Sequence, residues 1–275
     1  MSVESPVSFA RGLSDPLQPN RLKALKAFNQ WMDKFGTSYE FTPKEVDQVW
    51  RALQLTLWMA DKRPVQQQVA AECVLFARKI SPSLLADWNR GFWYNIERIY
   101  ETIDKHRVAK FHLLIRIYIA ELFHQMNSRS FDPEFVQSMV HGITNNVDKA
   151  LGAYIQLVTV FIDELQIYSD IPETAFLALL DPALQVVRTA AERPLSLISK
   201  TVEKILTNPF VINHSAAACS LVKTTVKAAA MSKTLEQDTR DALFQCLDQI
   251  DKVPQTLTKL STIMKTHKVR KSISK

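Results

Sequence analysis

The stretch TPKEVDQVWRALQLTLW, residues 42–58, decides how this chain is read. Thr42 followed by Pro43 has the form of a helix N-cap and first helical residue. The threonine oxygen accepts from an otherwise orphan N–H, and proline has no N–H to lose and a φ already helical. Glu45, three residues after the threonine, completes a capping box. From there Val46, Val49, Leu53 and Leu57 return at helical spacing, so one apolar face runs the length of the segment.

Working outward, the same punctuation recurs. Ser81-Pro82, Asp132-Pro133, Asp181-Pro182 and Asn208-Pro209 each place a capping side chain before a proline. Between these marks the apolar residues keep the helical period, as in Val65, Val69, Cys73, Phe76 and Ile80, and no stretch alternates as a strand would. The pattern predicts helices near 20–35, 43–60, 64–80, 82–102, 105–126, 133–144, 147–168, 173–191, 194–207, 209–231, 236–251 and 255–267. The expected fold is all-α without a sheet: about eleven or twelve helices in a HEAT-like α-solenoid stack of antiparallel pairs. Thr42 to Ser81 spans 39 residues, the length of one two-helix unit, but the spacing does not persist, and an irregular helical bundle is the alternative. The expected organisation is a flexible N-terminus over 1–19, one helical-repeat domain over 20–251, and a basic helix and tail over 252–275.

Composition narrows the chemistry. Five glycines occur in 275 residues, where average usage of about 7% would give roughly four times as many, so phosphate-cradling loops and tight hairpins are scarce. Three distant cysteines without a secretory signal argue against a disulfide framework. The most apolar run, Phe111 to Phe123, is too short for a bilayer and carries Arg116, so no membrane association is expected and the protein reads as soluble and intracellular. The net charge of +6 is uneven. After Asp251 there is no acid and seven cations follow, which leaves residues 1–251 at −1. Basicity belongs to the tail, whose Lys265, Lys268, Arg270 and Lys271 suit phosphate contacts.

No catalytic, cofactor or metal constellation emerges. The nearest histidines, His106 and His112, are six apart and leave different helix faces. Asp163 and Glu164 are adjacent, so on a helix they diverge by about 100° and form no carboxylate dyad; a solvated helix edge is the expected role. More informative is the segment from Phe92 to Arg116. Lys105, Arg107 and Lys110 crowd the first turns of a helix, where the macrodipole disfavours cations. Either Asp104, Glu101 and Glu97 compensate locally, or the cations serve a partner.

Several ordered segments resemble the ribosomal RNA processing protein 1 family of nucleolar proteins. Val49-Trp50-Arg51, Leu57-Trp58-Met59 and Asp61-Lys62 are similar to its tryptophan-rich opening, with Arg63 intervening before Pro64. Phe92-Trp93, Arg98, Ile103-Asp104, Arg107, Lys110-Phe111 and Arg116 match its most recognisable block in spacing, and Phe161 to Leu165 and Leu180-Asp181-Pro182 follow in order. Tyr100, Lys105 and Ala109 stand where that family usually has tryptophan, arginine and an acid. The resemblance covers Leu22 to Leu206. It implies a non-enzymatic scaffold of early large-subunit precursors, in the nucleus and nucleolus, without cofactor or small-molecule substrate. Its implied partners are ribosome assembly factors and pre-rRNA, contacted by Asp61, Lys62, Arg98, Lys105, Arg107, Lys110 and Arg116, with the tail adding phosphate contacts. A scaffold or transport adaptor outside the ribosome pathway is the competing reading.

Overall fold

A computed structural model describes residues 4–144 and 150–253, and among them every regular element is helical. The helices are α1 (Ala10–Leu13), α2 (Gln18–Phe35), α3 (Pro43–Trp58), α4 (Arg63–Leu75), α5 (Leu85–Tyr100), α6 (Val108–Asn127), α7 (Pro133–Thr144), α8 (Leu151–Leu165), α9 (Glu173–Arg188), α10 (Leu195–Thr201), α11 (Pro209–Ile212), α12 (Ala216–Ala230) and α13 (237–253). The all-α expectation holds. The chain forms two compact units, Met1–Leu165 and Gln166–Lys275.

In the first unit the helices pack on alternate neighbours. α3 lies against α5 and α5 against α7, while α4 lies against α6 and α6 against α8, so two layers of helices stack side by side. The seam is aromatic. Trp50, Trp88, Phe92 and Trp93 are fully buried, Phe92 stacks on Tyr118 at 3.6 Å, and the Trp50 indole N–H donates to the Trp88 carbonyl at 2.9 Å. Phe41 meets Trp88, Val46 abuts Gly91, and Asp47 accepts from Asn95, so α3 and α5 run parallel in step. Their closeness depends on Gly91, because a Cβ there would sit 2.6 Å from Cγ1 of Val46.

Order begins earlier than the helix expected near residue 20. Pro6–Phe9 forms a 3-10 turn and α1 follows, packed on α2 and α3. Pro6 and Leu13 are buried, Ser5 donates to Glu45 at 2.9 Å, and the Trp31 indole donates to the Glu4 carbonyl at 3.1 Å. Several predicted boundaries move. The helix expected to reach 80 ends at Leu75 and tightens to 3-10 over Phe76–Arg78, and the one expected over 209–231 is two, α11 and α12, parted by a turn where Ser215 caps α12. The helix expected over 255–267 lies outside the described residues.

The proline signals divide by context. Thr42 makes the full capping box, and the side chains of Asp132 and Asn208 accept from Phe135 and Phe210 N–H at 2.9 Å. Ser81 precedes a short 3-10 turn without a side-chain cap bond. Asp181-Pro182 is a correction: Pro182 lies inside α9, and Asp181 pairs with Arg188 at 2.8 Å. The apolar series Phe176, Leu179, Leu180, Ala183, Leu184 and Val187 is buried straight through the proline, and that burial outweighs the missing backbone donor.

The second unit packs α9 against α10 and α12. Val202–Leu206 continues α10 as a π turn, and His214 stacks on buried Phe176 at 3.6 Å. Among the described residues no helix is long and apolar enough to cross a membrane.

Candidate functional site

Five of the residues singled out in the sequence, Asp61, Lys62, Lys105, Arg107 and Lys110, lie around one short segment, Trp58 to Lys62, where α3 ends and α4 has not begun. A helix C-terminus leaves carbonyls without intrahelical partners, and here two cations from distant helices take them. Lys110, in the first turn of α6, donates from Nζ to the carbonyls of Trp58 at 2.5 Å and Ala60 at 2.7 Å. Arg21, near the start of α2, donates to Met59 O at 2.7 Å and to the carbonyls of Asp15 and Pro16 at 2.8 Å. Both side chains are only 4% exposed. Gln66 adds a neutral donor to Ala60 and Asp61 at 3.0 Å each.

This knot answers the dipole problem at α6. The lysine at its positive end faces the carbonyl-rich, negative end of α3, so the unfavourable placement within one helix becomes a favourable one between two. Burial, then Arg107 nearby, still lowers the Lys110 pKa from its ordinary value. Lys110 is therefore committed to the fold, and its ammonium is not displayed to solvent. Arg21 was missed by the sequence reading, although its place in series with Leu25, Phe28 and Met32 on the buried face of α2 marks it as a cation pointing inward.

Around the knot the other residues reach the surface. Lys105 precedes α6 rather than lying in it, and Asp104 holds the approach by accepting from the N–H of His106 at 2.9 Å and Arg107 at 3.1 Å. Arg107 closes an ion pair with Asp104 and lays its guanidinium 5.2 Å over the Trp58 ring. The cation and those backbone N–H groups hold the Asp104 carboxyl below its usual range against a desolvation that raises it. Asp61, Lys62 and Lys105 are exposed. Asp61, Lys62, Lys105 and Arg107 thus face solvent or half-face it around one buried core.

Arg98 stands apart on α5. Its guanidinium is 3.6 Å from Asp47 and lies 5.4 Å over the Tyr94 ring, and Tyr94 is 46% exposed. Arg116 belongs to another contact, donating to Glu164 at 2.6 Å with Asp163 at 3.9 Å. This revises the solvated edge expected for the acidic pair: Asp163 is exposed, but Glu164 is buried against α6. Lys265, Lys268, Arg270 and Lys271 lie outside the described residues.

The reactive side chains are placed as packing. Burial raises the thiol pKa of Cys73, and that of Cys246 is pushed up to about 12, so neither is a thiolate near neutrality. His112 is half-buried and hydrogen-bonded to the Tyr100 hydroxyl at 2.7 Å. Among the described residues no three His, Cys, Asp or Glu side chains converge as metal ligands.

The profile described as "Nucleolar protein, Nop52" matches residues 4–271. Similar proteins include mouse "Ribosomal RNA processing protein 1 homolog A", 23% identical over 72% of this chain and 42% of that protein. The Drosophila melanogaster "Ribosomal RNA processing protein 1 homolog" is 22% identical over 60% of this chain and 25% of its own length. Human "Ribosomal RNA processing protein 1 homolog B" is 20% identical over 58% and 22%. The chain thus spans less than half the length of the relatives it matches.

Proposed function

The chain belongs to the Nop52 family of nucleolar proteins, and from that premise we propose that it serves ribosomal RNA processing as a non-enzymatic scaffold of early large-subunit precursors. The observation that carries the reading is the extent of the family match, residues 4–271, which takes in both compact units. The relatives' names, which speak of ribosomal RNA processing, support it.

In this reading the protein works in the nucleolus by presenting a rigid surface to assembly factors and pre-rRNA. The 58–62 knot supplies the rigidity. Buried Arg21 and Lys110 fix the ends of three helices, so exposed Asp61, Lys62 and Lys105 and half-exposed Arg107 are held at set positions rather than on a loose loop. Arg98 offers a further exposed cation on the same unit. Charged groups held in place in this way favour partner choice and register over bulk affinity.

The test is depletion of the protein from cells with return of wild type or of a Lys62→Gln/Lys105→Gln/Arg107→Gln variant. Large-subunit precursor RNAs should accumulate on depletion, clear with wild type, and persist with the variant despite its normal folding. Unaltered precursor RNAs on depletion would refute the function, and clearance by the variant would refute the surface.

A further inference from the structure

Between α3 and α5 the parallel packing leaves a cavity of about 230 Å³, lined by Val46, Asp47, Asp87, Arg90, Gly91 and Tyr94. Its volume suits one planar heterocycle. The floor is apolar where Val46 meets Gly91, one wall is the half-exposed Tyr94 ring, and the polar lining is Asp47, Asp87 and Arg90. Asp47 already accepts from Asn95 at 2.8 Å, which fixes its rotamer, and Asp87 is paired with Arg90.

The surroundings carry the opposite charge. Lys44 and Arg51 are exposed on α3, and Arg90 and Arg98 on α5; Arg90 pairs with Asp87 and Arg98 lies 3.6 Å from Asp47, so Lys44 and Arg51 leave this group of six net positive. Arg51 engages no acid among the described residues. It lies between half-buried Asp47 and exposed Leu55, four residues from each, on a ridge that ends at Trp58 under the Arg107 guanidinium.

A ligand for this site must bring hydrogen-bond donors and an aromatic face to the cavity, and negative charge to the rim. An acidic peptide brings no aromatic face to the Tyr94 ring, and a basic peptide meets a net positive rim. A nucleotide strand meets both demands, because its bases carry N–H donors on a stackable plane while its backbone carries the phosphates. Guanine fits best, since its N1–H and N2–H donors lie side by side and match carboxylate oxygens. We infer that the α3–α5 groove binds single-stranded RNA, with one unpaired guanine stacked on Tyr94 against Asp47 and Asp87, and the flanking phosphates on Arg51 and Arg98. This rests on the ribosomal RNA reading above and adds to it a direct RNA contact, its site and its base preference.

The experiment is fluorescence anisotropy with the purified full chain and fluorescein-labelled twelve-nucleotide RNA strands, either guanosine-containing or all-uridine. The wild type should bind the guanosine strand at least about fivefold more tightly, and Tyr94→Ala should weaken that binding about tenfold, within the range of one base–aromatic stack. Tyr94→Phe should retain it. Asp87→Asn should erase the base preference, and Arg51→Gln should weaken both strands and flatten the salt dependence. Tyr94 and Arg51 are exposed, so unchanged melting curves will show that the losses are local. The inference is overturned by equal affinity for the two strands, by Tyr94→Ala binding as wild type, by the absence of binding, or by polyglutamate displacing RNA. Entry of the protein into ribosomal precursors despite such a result would leave the scaffold reading standing. RNA binding without entry would remove the scaffold reading and leave this site.

Discussion

Replacing Lys110 by methionine keeps the length and most of the volume of the side chain and deletes only the ammonium, which isolates what the knot contributes. Two charge-assisted bonds disappear, at 2.5 and 2.7 Å, each worth about 1.5–3 kcal/mol. Ala60 O keeps its bond from Gln66, so Trp58 O is the acceptor that loses its cation. Methionine also relieves the desolvation that lowers the Lys110 pKa, which offsets part of the loss. The expected net cost is about 2–4 kcal/mol. Urea unfolding followed by tryptophan fluorescence reads this directly, because Trp50, Trp58, Trp88 and Trp93 all lie in the same unit. With m near 2 kcal/mol per molar the midpoint should fall by about 1–2 M at unchanged m. Lys105→Met, on an exposed side chain five residues earlier, should leave it in place. A Lys110→Met midpoint within about 0.3 M of wild type would refute the claim that this cation belongs to the fold.

Further substitutions test the other contacts. Thr42→Ala removes one half of the capping box and should cost about 1 kcal/mol by chemical denaturation, whereas Asp181→Ala, which breaks only a partly exposed pair with Arg188, should cost about 0–1 kcal/mol. Pro182→Ala should raise the melting temperature, since alanine restores a backbone donor inside α9; a lower one would mean that the ring's packing outweighs the donor. Burial lowers the pKa of His112 and of His214 below 6.5. Between the folded pKa and 6.5 the unfolded chain binds more protons, so stability rises with pH across that window and is lost on acidification below about 6.5. Midpoints measured from pH 7.5 to 5 should fall, and His112→Gln/His214→Gln should flatten the fall.

What the sequence reveals and what it hides follow from how local each cause is. α3 is legible from residues 42–58 because cap, proline and apolar face all agree within one segment. At Asp181-Pro182 the cap signal and the apolar series disagree, and packing of Phe176, Leu180 and Leu184 decides for an unbroken helix. Lys110 is harder. Its own helix shows only an unfavourable dipole, while the compensating carbonyls of Trp58 and Ala60 are about fifty residues away in sequence. Glu164 hides in the same way, its partner Arg116 lying 48 residues earlier. The resemblance names Lys105 and Lys110 alike, but only the fold separates Lys110, buried against the carbonyls of Trp58 and Ala60, from Lys105, which is exposed.

The most direct measurement is affinity purification of the tagged protein from growing cells, with sequencing of the associated RNA and mass spectrometry of the associated proteins. Large-subunit precursor RNA recovered together with nucleolar assembly factors, and reduced for the Lys62→Gln/Lys105→Gln/Arg107→Gln variant at equal expression, is the result predicted here. Recovery of transport or cytoskeletal proteins without precursor RNA would contradict the account.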